Sequence, residues 1–302
     1  MNMLRFDGKV ALITGGGRGL GRSHALLLAS RGASIVINDL GGGLKGENPG
    51  HSAADAVVEE IVAAGGQAVA NYGDVTTDAE AIVQAAIDAF GRLDIVINSA
   101  GMNVPAFASE ENYVEIIRRH IDVNYNGTVA VTAAAWPHLV ASGAGRVINT
   151  ASPTLSGWEG QTPYVASKGA VFAYTRTLSI EALKQGIKVN AIAPTAWTRM
   201  AEAAEIPDSL KETLKTTMLT EMVSPMVAYF AHEECAVTGE TWLTQGGLMQ
   251  RFSLAMNDGY ANPDATPEDI QAHIDEITDD STAKPLGIIG TPGGATLLDL
   301  FE

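Results

Sequence analysis

Tyr164 and Lys168 stand four residues apart in the stretch Tyr164-Val165-Ala166-Ser167-Lys168. On a helix that spacing puts both side chains on one face, a single turn apart. An ammonium beside a phenol favours the phenolate, so Lys168 is expected to lower the Tyr164 pKa from its usual ~10. A tyrosine tuned in this way exchanges a proton with an alcohol or a ketone near neutral pH. The pair alone carries little, because Tyr-x-x-x-Lys is frequent by chance. It gains meaning from the scaffold predicted around it.

That scaffold starts at Thr14-Gly15-Gly16-Gly17-Arg18-Gly19-Leu20-Gly21, between a β-branched run and a helical one. Gly15 permits the tight turn, Gly19 lets the backbone approach a pyrophosphate, and Gly21 allows close helix–strand packing. The helix N-terminus then faces the phosphates, which makes this a dinucleotide site. Asp39 ends the second predicted strand, 18 residues after Gly21. A carboxylate there accepts hydrogen bonds from the adenosine ribose hydroxyls and repels a 2′-phosphate, which favours NAD over NADP. Arg18 has two readings, a contact to a 2′-phosphate or a structural arginine. Asp74-Val75 follows the third strand, where it could hold the adenine. Asn98-Ser99-Ala100-Gly101 follows the fourth, where the sheet order should reverse and a crevice open. Taken singly, these last two segments are also ordinary turn chemistry.

The elements that must hold these residues alternate. Predicted strands are Val10–Thr14, Ser34–Asn38, Ala68–Asn71, Ile95–Asn98, Arg146–Thr150, Lys188–Ile192 and Thr241–Thr244. Helical periodicity runs through Arg22–Ser30, Ser52–Ala64, Ala79–Phe90, Asn124–Ala141 and Pro163–Lys184. Strands alternating with crossover helices predict an α/β fold, a doubly wound seven-stranded parallel sheet of Rossmann type, in one domain over residues 1–250. Residues 251–302 change composition, with ten acidic residues against Arg251 and Lys284. The helix start Thr266-Pro267-Glu268-Asp269 predicts an ordered extension there, packed on its own or a neighbouring subunit.

Composition narrows the function classes. The chain is 46% hydrophobic with 32 glycines, as α/β folds with tight turns tend to be. Its net charge of −16 repels a phosphate backbone or an anionic membrane, which argues against nucleic-acid and membrane partners. The single Cys235 cannot form an internal disulfide and reads as a small buried apolar residue. No basic-then-apolar leader precedes the first strand, and the apolar runs are too short to span a bilayer, so a cytoplasmic protein is expected. His24, His51, His120, His138, His232 and His273 show no ligand spacing, and no metal is expected.

Together these residues resemble the short-chain dehydrogenase/reductase family. The matching elements are Thr14–Gly21, Asn98-Ser99-Ala100-Gly101, Asn124, Ser152, the Tyr164/Lys168 pair and Asn190-Ala191-Ile192-Ala193-Pro194, in family order over about 250 residues. Within the family the chain is similar to the (3R)-hydroxyacyl-CoA dehydrogenase subgroup found in type 2 multifunctional enzymes. That likeness rests on the insertion Asn38-Asp39-Leu40-Gly41-Gly42-Gly43-Leu44-Lys45-Gly46, on residues 52–71, on Arg199-Met200, and on Thr266-Pro267-Glu268 and Ala283-Lys284-Pro285. Three positions depart from the family pattern. Ser99 replaces an asparagine, Ser152 lies 12 residues before Tyr164 rather than 13, and Thr195 follows Pro194 in place of glycine.

The resemblance implies an oxidoreductase that interconverts a secondary alcohol and a ketone. Tyr164 would take the hydroxyl proton while hydride passes to the nicotinamide, Ser152 would orient the substrate oxygen, and Lys168 would hold the nicotinamide ribose. Asn124 would anchor a water that links Lys168 to solvent; as an alternative it is a helix N-cap. The cofactor contacts implied extend to Leu20, Ala100, Gly101, Thr150, Pro194 and Thr198, and the assembly implied is a homodimer or homotetramer built through the two long helices. The methionines Met200, Met218, Met222 and Met226, with Leu219, suit either an apolar substrate lid or plain packing. Two substrate classes stay open. A 3-hydroxyacyl-CoA would want a basic rim, for which Arg118, Arg119, Lys211 and Lys215 are candidates, whereas a hydroxysteroid or other bulky secondary alcohol needs none. A non-catalytic dinucleotide-binding regulator is the remaining alternative.

Overall fold

A computed structural model describes residues 3–43, 50–203 and 206–287. The chain divides into one unit ending at Arg251 and a second beginning at Phe252.

The first unit is built on an eight-stranded sheet. Its strands are β1 (Val10–Thr14), β2 (Ser34–Asn38), β3 (Gln67–Asn71), β4 (Ile95–Asn98), β5 (Arg146–Thr150), β6 (Lys188–Thr195), β7 (Thr241–Gln245) and β8 (Leu248–Phe252). They lie in the order β3-β2-β1-β4-β5-β6-β7-β8, and the pairs from β3 through β7 are parallel. The order reverses between β1 and β4, which opens a crevice beyond the C-terminal ends of those two strands. The helices are α1 (Gly19–Ser30), α2 (Ser52–Ala63), α3 (Ala79–Phe90), α4 (Tyr113–His120), α5 (Gly127–Ala141), α6 (Thr162–Leu183), α7 (Arg199–Glu202), α8 (Asp208–Thr217) and α9 (Ser224–Ala231).

Side-chain alternation along the strands makes two cores. Ala11, Ile13, Ile35, Ile37, Ile95, Ile97, Ile148 and Ile192 face one way and pack with α1, α2 and α9. Val10, Leu12, Val36, Val96, Val147 and Val189 face the other way and pack with α3, α5 and α6. Buried on both faces, the strands read as continuous β-branched runs, which is why the parallel sheet was legible.

Two elements differ from expectation. The sheet does not end at β7. Gly246 and Gly247, with φ of 51° and 83°, turn the chain back into β8, a two-glycine hairpin signal that the shift in composition obscured. Nor does Asn124 begin a helix. The chain is helical from Tyr113 and passes through a π-helical segment, Ile121–Asn126, into α5. Asn124 is therefore interior to a continuous helix, and its N-cap reading is overturned.

The second unit holds α10 (Pro267–Ala272), α11 (Ile274–Ile277) and a two-stranded ribbon of β9 (Ala255–Met256) and β10 (Lys284–Pro285). The predicted helix start forms as a capping box between Thr266 and Asp269. Of the insertion Asn38–Gly46, the last three residues lie outside the described residues.

Candidate active site

At the switch point β1 and β4 run level, Thr14 opposite Asn98. The Thr14 hydroxyl accepts the N–H groups of both Ser99 and Ala100 at 3.2 Å, tying the two strand ends together. Gly15 turns beneath this tie with φ +64°, and a Cβ on it would lie 2.8 Å from the Ala100 backbone. A Cβ on Gly21 would overlap the Gly15 carbonyl oxygen and sit 2.8 Å from its carbon. The loop thus has no room for side chains at Gly15 or Gly21, and it delivers the chain into α1 at Gly19-Leu20. The first turn of a helix has unpaired N–H groups, so a loop this close to the helix start suits a pyrophosphate.

The adenosine end is organised by Asp39. One carboxylate oxygen accepts from Gly17 N–H at 2.9 Å and the other from Gly41 N–H at 2.7 Å. Arg18 donates to the Gly42 carbonyl at 3.2 Å. The Asp74 carboxylate accepts from the N–H and the hydroxyl of Thr76, both at 2.8 Å, and Val75 is buried against Gly127. The Asp74 N–H also donates to the Asp78 carboxylate at 2.8 Å, which ties the turn into α3. The Asn98 side chain turns away from the crevice into the sheet, donating to Thr132 at 3.0 Å and to Asn149 at 2.9 Å. What Asn98 offers at the crevice side is its carbonyl, which accepts from the Thr150 hydroxyl at 2.8 Å. Pro194 lies near the end of β6, and Thr198 comes close to Gly19, with a Cβ there 3.6 Å from its methyl.

Four side chains converge on the other wall of the crevice. Ser152 caps a short 3-10 turn after β5, is buried, shares a hydrogen bond with Thr154 Oγ1 at 2.7 Å, and stands near enough to the Tyr164 phenol to act on its pKa. Lys168 lies one turn further along α6, its Nζ 5.6 Å from the Tyr164 ring centre and donating to the Thr150 carbonyl at 2.7 Å. Asn124 is buried. Its Oδ1 accepts from Met102 N–H at 2.8 Å, and its Nδ2 donates to the Met102 carbonyl at 3.1 Å and to Ser167 at 2.9 Å. Gly101 is the contact point of this group. A Cβ on it would press 3.2 Å from Asn124 Oδ1 and 3.7 Å from Lys168 Nζ.

The electrostatics correct one expectation. Burial pushes the Tyr164 phenol above its ordinary value, and the nearby Ser152 hydroxyl only partly opposes this. Lys168 does not bring the tyrosine down. It is itself buried, and burial pushes it down to about 8. Desolvation penalises the charged form of each partner, and at this separation it outweighs their attraction.

Thr14, His120 and Ser167 were not singled out as working parts of the site; Thr14 alone had a signal, being the last residue of its strand. Among the lid candidates, Met226 is 2% exposed and belongs to the core beside α1, while Leu219 is exposed. Cys235 is buried. Among the described residues no helix is long and apolar enough to cross a membrane, and no cluster of His, Cys, Asp or Glu could hold a metal ion.

The short chain dehydrogenase family model matches residues 9–207. The chain belongs to that family. As a short chain dehydrogenase it is an oxidoreductase of CH–OH groups that binds a nicotinamide dinucleotide. It is 41% identical over 300 residues to the peroxisomal multifunctional enzyme type 2 of Mus musculus, covering 96% of this chain and 40% of that protein. A short-chain type dehydrogenase/reductase of Mycobacterium tuberculosis is 41% identical over 287 residues, covering 92% of this chain and 97% of its own. The solved structure of 7α-hydroxysteroid dehydrogenase complexed with NADH and 7-oxo glycochenodeoxycholic acid superposes with a TM-score of 0.72 at 28% identity, covering 80% of this chain and 95% of that one. Among the multifunctional enzymes, this short chain dehydrogenase spans between 31% and 61% of the relative's length.

Proposed function

We propose that this chain is an NAD⁺-dependent dehydrogenase that interconverts a (3R)-3-hydroxyacyl-CoA and its ketone. The observation that carries the reading is the convergence of Ser152, Tyr164, Lys168 and Asn124 on one wall of the dinucleotide crevice. NAD⁺, when bound, supplies the hydride acceptor and a positive charge. The Ser152 and Tyr164 hydroxyls lie near each other, so both can hydrogen-bond a substrate oxygen seated between them and orient it toward the crevice. Tyr164 accepts the hydroxyl proton as its phenolate, the form that the positive charge of a bound NAD⁺ would favour over the neutral phenol that burial imposes. Lys168, with a pKa of about 8, exchanges protons near neutral pH and passes the charge onward. Asn124 holds the Met102 backbone and Ser167, which keeps Gly101 beside the lysine.

NAD is favoured over NADP because a carboxylate at Asp39, just past the end of β2, would repel a 2′-phosphate, while Arg18 is engaged with Gly42. The acyl-CoA assignment is supported by the extent of likeness to the multifunctional enzymes, over 96% of this chain for the mouse protein. One observation favours a neutral hydroxysteroid instead. Lys215 is paired with Glu212 at 2.6 Å and Lys211 donates to the Glu202 carbonyl, so the basic rim that CoA would want is partly spent. The homodimer or homotetramer reading rests on α5 and α6, where Val140 and Leu183 are exposed.

Initial rates of NADH formation from NAD⁺ with a (3R)-hydroxyacyl-CoA and with a 17β-hydroxysteroid decide between the substrates. A higher kcat/KM for the thioester is expected. Preference for the steroid would reduce the acyl-CoA likeness to ancestry, and no turnover with either would leave a dinucleotide-binding regulator.

A further inference from the structure

His120 closes α4 and is fully buried, yet no step above uses it. Each of its ring nitrogens has a partner of fixed polarity. Nδ1 lies 2.8 Å from the Ile116 carbonyl, which can only accept, and Nε2 lies 3.0 Å from the Val104 nitrogen, whose N–H can only donate. The ring is therefore neutral, with its proton on Nδ1. Four residues further along the same continuous helix, Asn124 holds Met102 by both its N–H and its carbonyl. The segment Gly101–Val104 is thus fastened at two alternate residues, Met102 by Asn124 and Val104 by His120. It is the segment that presses Gly101 between Asn124 and Lys168. The His120 ring also stands edge-on to the Tyr164 ring, with centroids 6.5 Å apart at 80°, a favourable aromatic geometry.

We propose that His120 is a positioning residue: its neutral imidazole latches Val104 and backs the Tyr164 ring, and its protonation releases that latch. The acid limb of turnover then belongs to His120. This assignment rests on the dehydrogenase reading above, because the limb is read in turnover.

Protonation would put a hydrogen on Nε2 facing the Val104 N–H, two donors with no acceptor between them. The groups facing the ring oppose that step. The cations are Lys168 on α6 and Arg119, which precedes His120 on its own helix; Tyr164, also on α6, meets the ring edge-on and carries no positive charge. Gly101–Val104 brings no titratable side chain, and Asp122 in the π segment is exposed and bonded to Asn126. Burial holds the His120 pKa below its usual ~6.5, with Arg119 and Lys168 adding to the depression and the Ile116 bond working against it. The latch is accordingly closed at neutral pH and opens as pH falls through that lowered value.

Two substitutions in the full chain test this. His120→Phe keeps a flat ring beside Tyr164 but removes the acceptor for Val104. His120→Gln offers a non-titrating amide oxygen to the same N–H. Amide hydrogen exchange at Val104 should lose protection in His120→Phe and keep it in His120→Gln. In His120→Phe, kcat should fall on the order of 10- to 100-fold, the size of effect that small misplacements produce, with NADH affinity nearly unchanged. His120→Gln should recover most of kcat and carry activity to lower pH without the wild-type acid limb. Unchanged Val104 protection in His120→Phe, or an acid limb in His120→Gln that coincides with the wild type, would overturn the proposal. The exchange measurement needs no turnover, so an inactive enzyme with an intact latch would refute the dehydrogenase reading and leave His120's contact standing.

Discussion

Asp39 offers the clearest quantitative test of the cofactor site. Its carboxylate joins the glycine loop to the loop after β2 through Gly17 N–H at 2.9 Å and Gly41 N–H at 2.7 Å. Asp39→Ala removes two charge-assisted bonds whose donors sit in a half-buried setting that water can reach. The expected loss of stability is therefore about 1–3 kcal/mol in all, toward the low end of two such bonds. The ribose contact is a separate loss. Removing a charged acceptor from a sugar hydroxyl costs about 1.5–3 kcal/mol, a rise in NAD⁺ Kd of roughly 10- to 160-fold. NADP⁺ loses the same acceptor but also escapes repulsion from the carboxylate, so its Kd should change far less or fall. Asp39→Asn should not rescue, because its –NH₂ group would face one of the two backbone N–H donors. Calorimetric titration of both cofactors against wild type and both variants measures this. An NAD⁺ to NADP⁺ preference unchanged in Asp39→Ala would show that the ribose does not meet β2 at Asp39.

Three further outcomes are expected. Tyr164→Phe should abolish turnover and leave NADH binding, read by fluorescence, nearly intact; substantial residual activity would remove Tyr164 from the proton step. Lys168 has its folded-state pKa lowered to about 8, so between there and its unfolded ~10.4 the unfolded chain holds the extra proton and stability rises with pH. Its burial penalty, on the order of 3 kcal/mol below pH 8, makes Lys168→Met stabilising at pH 7. That advantage should shrink toward pH 10 in denaturant titrations, and an advantage independent of pH would contradict the burial argument. Arg146 is buried and donates to the carbonyls of Ala144, Gly145, His232 and Glu233. Arg146→Leu should cost about 3–5 kcal/mol by leaving these acceptors unpaired; a loss under ~1 kcal/mol in urea unfolding would mean water replaces the guanidinium.

Much of the site was legible because each part is a residue type forced by its place. Gly15 and Gly21 are required by backbone a side chain would strike, and Asp39 and Asn98 sit at strand ends that β-branched runs mark plainly. The direction of one side chain was also legible. Asn98 comes two residues after Val96, whose face packs on α3, α5 and α6, so alternation alone sends its side chain inward to Thr132 and Asn149. The π segment is different. An extra residue in one helical turn leaves no mark in the composition of Ile121–Asn126, and its register becomes visible only in backbone bonds such as Gly127 N–H to the Asp122 carbonyl. The eighth strand was hidden for another reason, since all but one residue of Leu248–Phe252 is exposed and carries no buried pattern.

The direction of the Tyr164 shift was beyond the sequence because it depends on a competition between burial and charge. Spacing on a helix fixes that Tyr164 and Lys168 are neighbours but not how far water is excluded from both. Here exclusion wins, raising the tyrosine and lowering the lysine, so each is pushed toward its neutral form. The low dielectric that imposes this also strengthens any further charge brought alongside. A dinucleotide cation in the crevice adds attraction for the phenolate without adding a second desolvated side chain. Proton acceptance by Tyr164 is thereby coupled to occupancy of the glycine-loop site. Cofactor binding at fixed pH should accordingly release protons in calorimetry performed in buffers of differing ionisation enthalpy, more for NAD⁺ than for NADH. Equal proton release for the two would mean that the nicotinamide charge does not act on Tyr164.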